Sequence, residues 1–120
     1  MKYKGFVEWE DAQKIEKPWG FEIHWALTDK YCGKLLFIKA GHRLSKQYHE
    51  VKEETIFVLK GPLYHYDEED KITKLVSGDT IHIAPGQIHR FGANECNVEL
   101  IEVSTPELDD VVRLEDDYSR

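Results

Sequence analysis

Short runs of β-branched and aromatic residues, separated by glycine or acidic turns, dominate the chain from Tyr31 onward. Runs of this kind, bounded by turn residues, predict strands. Strands are predicted near residues 21–26, 33–39, 55–59, 63–67, 72–75, 80–83, 89–92 and 98–104. Gly78-Asp79 has the composition of a two-residue hairpin turn, and the acidic run at residues 67–70 predicts a solvated turn. We therefore expect an all-β sandwich or barrel.

Length and charge restrict the classes of protein that remain. A chain of 120 residues has the size of one domain. Its formal net charge of -7 disfavours a nucleic acid or an anionic membrane as partner, because both require a basic face. The beginning of the chain has no apolar leader, and no run reaches membrane-spanning length. We therefore expect a cytoplasmic protein.

The two cysteines are far apart and do not form a Cys-x-x-Cys motif. This pattern argues against a disulfide framework. We interpret Cys32 and Cys96 as small buried residues on strands.

The N-terminal part is charged and aromatic. Residues 11–17 precede Pro18, so we expect a short turn or an arm there rather than a helix. Trp9, Trp19 and Trp25 are expected to make core packing or dimer contacts rather than to stack on a ligand.

Four polar residues have the spacing of a metal site. Gln47 and His49 are two positions apart, so on an extended strand both side chains leave the same face, to which Glu54 can return from the next strand. His89 completes a set of four ligands. This mixture of nitrogen and oxygen donors suits one divalent first-row metal (Zn, Mn, Co, Fe or Ni), and it contains no thiolate. The alternative is that Gln47, His49 and Glu54 are ordinary polar strand residues.

The glycines around these residues resemble both motifs of the cupin family. The first motif is Gly41, five residues, Gln47-x-His49, four residues, Glu54, six residues and Gly61. The second contains Gly78 and Pro85-Gly86-x-x-His89. The resemblance implies a cupin-type jelly-roll barrel with the ligands inside its mouth. One position departs from most cupins, since Gln47 occupies the place of their first histidine.

Residues 17–120 are similar, more specifically, to the isomerase domain of type II phosphomannose isomerases, which is often fused to a mannose-1-phosphate guanylyltransferase. The stretches that carry this similarity are Lys17-Pro18-Trp19-Gly20, Arg43-Leu44-Ser45-x-Gln47-x-His49 and the terminal segment 109–120. The resemblance implies a metal-dependent isomerase that interconverts mannose 6-phosphate and fructose 6-phosphate. The single domain would comprise an N-terminal arm (1–17), a barrel (18–105) and a C-terminal segment packed on the barrel (106–120).

Several positions depart from this family near the predicted ligands. Lys52 stands where the family has an arginine thought to act in the active site, and Thr55 and Ile56 replace a His-Trp pair. We expect Lys52 and Arg43 to act in catalysis through their charge, Lys52 as an electrostatic residue first and as a base second. The predicted contacts to a substrate phosphate are Arg43, Lys46, Lys52 and Arg90.

The other histidines give weaker signals. His82 alternates with two isoleucines, so it faces opposite to them, toward either a pocket or the solvent. His24, His42 and His65 are expected to be surface or satisfied structural residues.

Two other functions compatible with the sequence remain open. One is a different cupin metalloenzyme, a dioxygenase or a lyase, and the other is a non-catalytic cupin that binds a sugar or a sugar phosphate. The cupin resemblance and the aromatic N-terminal part also lead us to expect a homodimer.

Overall fold

The structure, a computed structural model, describes residues 13–118 and is built from strands. The strands are β1 (Gln13–Lys17), β2 (Gly20–Leu27), β3 (Cys32–Ile38), β4 (Lys46–Tyr48), β5 (Glu54–Lys60), β6 (Leu63–Tyr66), β7 (Ile72–Leu75), β8 (Thr80–Ile83), β9 (Arg90–Gly92), β10 (Val98–Ser104) and β11 (Val112–Glu115). No helix in this part of the chain is long and apolar enough to cross a bilayer.

The strands form two antiparallel layers. One layer is a six-stranded sheet with the order β1-β2-β3-β10-β5-β8. The other contains β7-β6-β9 and β11-β4, which are joined by isolated bridges from Gln47 to His89 and from Arg43 to Gly92. Every predicted strand is present, with small differences at its ends. The predicted all-β jelly-roll barrel is confirmed.

Side-chain alternation places an apolar core between the layers. On β5, Ile56 and Val58 are fully buried. The alternate residues of the same strand, Phe57 and Leu59, are 41% and 47% exposed. A period of two is the pattern expected when one face of a sheet is buried. The core cluster consists of Trp19, Leu36, Ile38, Leu44, Ile56, Val58, Leu63, Ile83, Phe91, Ala93, Val98 and Leu100.

The inner face of the large sheet changes from apolar to charged along its strands. Lys34 pairs across the ladder with Glu102, while the next inward pair is Leu36 with Leu100. Lys34 and Glu102 are buried, with 6% and 5% of their surfaces exposed. The apolar half of the barrel therefore forms the core, and the charged half surrounds a cavity.

Three strands were not predicted, because their residues are mostly polar or the strands are short. Residues 11–17 were assigned to a turn or an arm, but Gln13–Lys17 form β1, an edge strand paired with β2. β4 and β11 form a two-stranded ladder with each other, although more than sixty residues of sequence separate them. Tertiary pairing rather than local pattern determines these strands.

The tryptophans have different environments. Trp19 is 2% exposed and belongs to the core, whereas Trp25 is 41% exposed. The Trp25 ring occupies the space beside Gly33, where a Cβ atom would lie 2.6 Å from it. Trp9 lies outside the described residues.

Both cysteines are free thiols. Cys32 is buried on β3, as predicted. Cys96 is only partly buried and lies between β9 and β10, so its predicted place on a strand is wrong.

Candidate metal centre

Backbone pairing brings the predicted ligands together at the polar end of the barrel. Gln47 lies on β4 and His49 follows that strand directly, while Glu54 is the first residue of β5. His89 precedes β9, and its amide and carbonyl each form a 2.9 Å hydrogen bond with Gln47. This two-way pairing fixes the β4 and β9 ends of the site relative to each other.

Three of the four predicted ligands converge. The Nε2 atoms of His49 and His89 lie 3.5 and 3.3 Å from the same oxygen, Oε1 of Glu54. One ligand atom from each of the three residues lies within 4.8 Å of the others. All three residues are buried, and Gln47 lines the same cavity.

Backbone carbonyls determine which ring nitrogen faces the centre. His49 Nδ1 donates to the carbonyl of Asp110 at 2.6 Å, and His89 Nδ1 donates to the carbonyl of Gln87 at 3.0 Å. A carbonyl oxygen only accepts, so each Nδ1 carries a hydrogen, and Nε2 of the neutral ring has a free lone pair. Metal-binding histidines are oriented by the same type of bond.

This donor set fits a divalent metal. Two imidazole lone pairs face one carboxylate oxygen of Glu54, which is repulsive unless a cation lies between them. Two imidazoles and a carboxylate, with the Gln47 amide nearby, form a mixed nitrogen and oxygen set suited to a first-row metal. Gln47, His49, Glu54 and His89 would hold such an ion.

Lys52 binds the other oxygen of the same carboxylate. Its Nζ atom lies 3.1 Å from Glu54 Oε2 and 3.2 Å from Glu102 Oε2. Burial alone would lower the pKa of Lys52, but the charges of Glu102 and Glu54 raise it above its ordinary value. Burial alone would raise the pKa of Glu54, but contacts with His49 and His89 and the charge of Lys52 hold it well below its usual range.

Asp110 was not predicted to act at this site, although its segment was singled out in the sequence. Its carboxylate accepts hydrogen bonds from the backbone amides of Glu50, Val51 and Lys52, at 3.0, 2.8 and 2.8 Å. Its carbonyl also orients His49. The C-terminal segment therefore holds both the loop between β4 and β5 and one ligand ring.

The other predicted phosphate contacts do not line this cavity. Arg43 forms a two-bond contact with Asp117, at 2.6 and 3.0 Å. Lys46 pairs with Asp70 at 3.2 Å. Arg90 is 3% exposed and donates to the carbonyl of Leu44. Lys46 and Arg90 each adjoin a predicted ligand in sequence, so strand alternation directs them to the opposite face.

The cavity has a volume of about 270 Å³ and continues from the ligand cluster to β1, β2 and β3. His24 lines it, with a side chain only 7% exposed. The expectation that His24 is a surface or satisfied structural residue is therefore wrong. His82, in contrast, is 53% exposed at its side chain and pairs with Glu53 at 2.6 Å, so it faces the solvent.

Comparison with known families identifies the chain. The family described as mannose-6-phosphate isomerase C-terminal matches residues 5–116. The chain belongs to this family. This match agrees with the resemblance of residues 17–120 to the isomerase domain of type II phosphomannose isomerases.

Curated relatives of this chain are longer proteins. The mannose-1-phosphate guanylyltransferase of Escherichia coli (strain K12) is 32% identical over 124 aligned positions, which cover 100% of this chain and 26% of that protein. The chain thus spans about a quarter of the length of the curated relatives it matches. Their similarity concerns this domain alone.

Solved structures share the fold at low sequence identity. A protein with a double-stranded beta-helix domain from Klebsiella pneumoniae has a TM-score of 0.78 and 15% identity, covering 97% of this chain and 98% of its own. Pac13, a nucleoside dehydratase, has a TM-score of 0.75 and 17% identity, covering 97% and 93%; related Pac13 structures are from Streptomyces. The chain therefore has the cupin fold.

Proposed function

We propose that this domain is a metal-dependent sugar-phosphate isomerase that interconverts mannose 6-phosphate and fructose 6-phosphate. The observation that carries the proposal is the convergence of His49 and His89 Nε2 on one oxygen of buried Glu54, inside a cavity. Membership of the mannose-6-phosphate isomerase C-terminal family supports the substrate class.

The proposed reaction moves a proton between the first two carbons of the sugar. A bound divalent metal supplies Lewis-acid stabilisation of the negative charge that develops on the sugar oxygens. Gln47, His49, Glu54 and His89 would hold this metal, while Asp110 keeps His49 in position and Lys52 keeps Glu54 in position. Burial of the cluster excludes bulk water from the reacting atoms.

Lys52 serves this reaction through its charge. A lysine whose pKa is raised by two carboxylates stays protonated near neutral pH, so it does not act as the base. Its ammonium group instead keeps Glu54 ionised, and an ionised Glu54 is required for metal binding.

Cations on the cavity rim are better placed for a substrate phosphate than Arg43, Lys46 and Arg90. Lys17 and Arg113 line the cavity. Arg113 is exposed, and the lysine and arginine ion pairs within residues 13–118 include neither Arg113 nor Lys17. We therefore assign the phosphate contact to Arg113 and Lys17, since a charge-assisted hydrogen bond to phosphate needs an unpaired donor.

A second function, non-catalytic binding of a sugar or sugar phosphate, is favoured by one observation. Lys52, at the position of the family's arginine, is held between Glu54 and Glu102, so at least two of its three N–H donors are engaged with protein carboxylates. A domain that has lost the family's arginine would keep the cavity and the metal site but would not catalyse the isomerisation.

A turnover assay separates the two functions. Protein purified without chelator is loaded with Zn, Mn, Co, Fe or Ni and supplied with mannose 6-phosphate or fructose 6-phosphate. Interconversion with at least one metal supports the isomerase. Sugar-phosphate binding without interconversion would support the binding domain.

We also propose a homodimer formed through the outer face of β2, β10 and β5 in the large sheet, with the edge strand β8 and its His82 outside the interface. Trp25, Phe57 and Val103 lie on this face and are 41%, 41% and 50% exposed. Apolar side chains exposed together on one sheet face are typical of an interface between subunits. The cytoplasmic location stays a prediction from the sequence.

A further inference from the structure

A second polar group lines the cavity, on β2. Nε2 of His24 lies 2.9 Å from Oε1 of Glu22, with side chains that are 7% and 12% exposed. The other ring nitrogen, Nδ1, is buried, and no residue within the described part of the chain forms a hydrogen bond with it. A buried polar atom without a partner costs free energy, so its retention calls for a ligand or an ordered water.

The ionisation of Glu22 determines whether Nδ1 of His24 donates or accepts a hydrogen bond. Burial alone would raise the pKa of Glu22, but Lys34, at 3.4 Å, and His24 lower it, so the side chain is a carboxylate. A carboxylate only accepts, and Nε2 of His24 is therefore the donor. In the neutral ring, Nδ1 then has a free lone pair and accepts a hydrogen bond.

Strand register places this pair opposite the metal centre. His24 is directly across from Lys34, and Lys34 is across from Glu102. On the next strand, β5, Glu102 is across from Ile56, and Glu54 is the next inward residue toward the beginning of that strand. Adjacent strands lie about 4.8 Å apart, so β2 and β5 are about 14 Å apart across the sheet, and the inward side chains of both strands extend into the same cavity.

A continuous series of buried charges connects the two ends of the cavity. Lys34 Nζ lies 3.9 Å from Glu102 Oε2, which in turn contacts Lys52 beside Glu54. β2 also contains a bulge between His24 and Ala26, a type of irregularity that redirects side chains next to functional sites. Both features fix the His24 ring relative to the metal centre.

We propose that His24, positioned by Glu22, forms a second binding site that accepts a hydrogen bond from a hydroxyl group of a polyhydroxylated ligand held at the metal centre by its other end. This inference rests on the proposed function for the sugar class, but not on turnover. A hydroxyl is favoured over an ionised phosphate because the Nδ1 lone pair accepts a hydrogen bond, and an ionised phosphate has no hydrogen to donate. The site would therefore select for a hydroxyl donor and orient the sugar.

Binding of a neutral sugar to metal-loaded protein tests this site. His24→Phe removes the acceptor, and His82→Phe makes the same change in a histidine-glutamate pair that faces the solvent. We expect His24→Phe to weaken binding of D-mannose about tenfold at unchanged metal content, because one hydrogen bond is lost. His82→Phe should bind as the wild type does. Equal affinities of wild type and His24→Phe would overturn the proposal.

A measurement on the ring itself covers the case in which His24→Phe does not fold. Long-range ¹H–¹⁵N spectra of the metal-loaded wild type follow Nδ1 of His24 during titration with D-mannose or D-glucitol. We expect the His24 Nδ1 resonance to shift with saturation while His82 does not move. An unchanged Nδ1 resonance up to the highest sugar concentration would overturn the proposal. A shift without any isomerase turnover would retain this site while rejecting the isomerase.

Discussion

Lys52 Nζ lies 3.1 Å from Glu54 Oε2, whereas the other oxygen of the same carboxylate faces His49 and His89. One buried carboxylate thus joins the candidate metal centre to the charged series that continues through Glu102. Lys52, which stands where type II phosphomannose isomerases have an arginine, consequently acts on the ligand set.

Removing the Lys52 charge should destabilise the fold. Burial and the charge of Glu54 raise the pKa of Glu102, so Glu54 is the carboxylate that depends on this cation. In metal-free protein, Lys52→Met leaves the buried Glu54 carboxylate without it, which typically costs about 3–5 kcal/mol. Lys46→Met is the matched control, because its partner Asp70 is 59% exposed at its side chain; we expect it to cost at most about 1 kcal/mol. Urea unfolding measures both. Similar unfolding free energies for the two variants would show that the Lys52 pairs are not important for stability.

Removing either histidine should abolish metal binding. His49→Ala and His89→Ala each leave a single imidazole at the centre, so we expect less than about one tenth of the wild-type metal content after dialysis against metal-free buffer. Elemental analysis measures this content. His82→Ala changes a histidine outside the cavity and should keep the full content. Wild-type occupancy in both ligand variants would place the metal elsewhere.

The Asp110 carboxylate should make stability depend on pH in acid. Backbone amides of Glu50, Lys52 and Val51 lower its pKa below the ordinary value of 3.8. A carboxylate with a depressed folded pKa stabilises the fold above its unfolded pKa, and this contribution is lost as the pH falls through the folded value. We expect the contribution to be complete at pH 7 and to decline below about pH 4.

Asp110→Asn tests this dependence, because asparagine does not ionise. Urea unfolding of metal-free protein at pH 7 and pH 3 should show a smaller acid loss in the variant than in the wild type. Asp29→Asn, in an exposed turn, should lose as much stability as the wild type. An identical acid loss in all three proteins would argue against the role of Asp110.

The proposed dimer depends on the apolar outer face of the large sheet. A glutamate at the centre of such an interface buries an unpaired charge, so Trp25→Glu and Phe57→Glu should each shift the protein toward a monomer of 14.1 kDa. Light scattering at micromolar concentration measures the mass. Val76→Glu, on the turn after β7, changes a residue that is 53% exposed and should leave the dimer intact. A monomeric wild type would reject the proposed dimer.

The fold was predictable where local pattern and tertiary structure agree. The run of β-branched and aromatic residues at 55–59 predicted β5, and Gly78 lies at the predicted turn with a φ of 94°. β1, β4 and β11 were not predicted, because their residues carry no apolar period and their pairing partners are distant in sequence. Strand order likewise depends on contacts that no local pattern contains.

The candidate site was predictable in its ligands but not in their surroundings. Fixed offsets between glycines and ligands placed His49, Glu54 and His89 correctly beside each other. The surroundings of Lys52 depend on Glu102, which the pairing of β10 with β5 brings into contact. Glu22 lies two positions from His24 on β2, so strand alternation places both side chains on one face, but no motif marks the pair.

The most direct test of the account is a metal titration of isomerase turnover. Metal-free protein receives increasing amounts of one divalent metal, and conversion of mannose 6-phosphate to fructose 6-phosphate is followed, with His49→Ala and His82→Ala in parallel. We predict that the rate rises to a plateau at about one metal per chain in the wild type and in His82→Ala, and that His49→Ala remains inactive. A wild type that binds the metal fully but converts neither sugar phosphate with any of the five metals would contradict the proposed function.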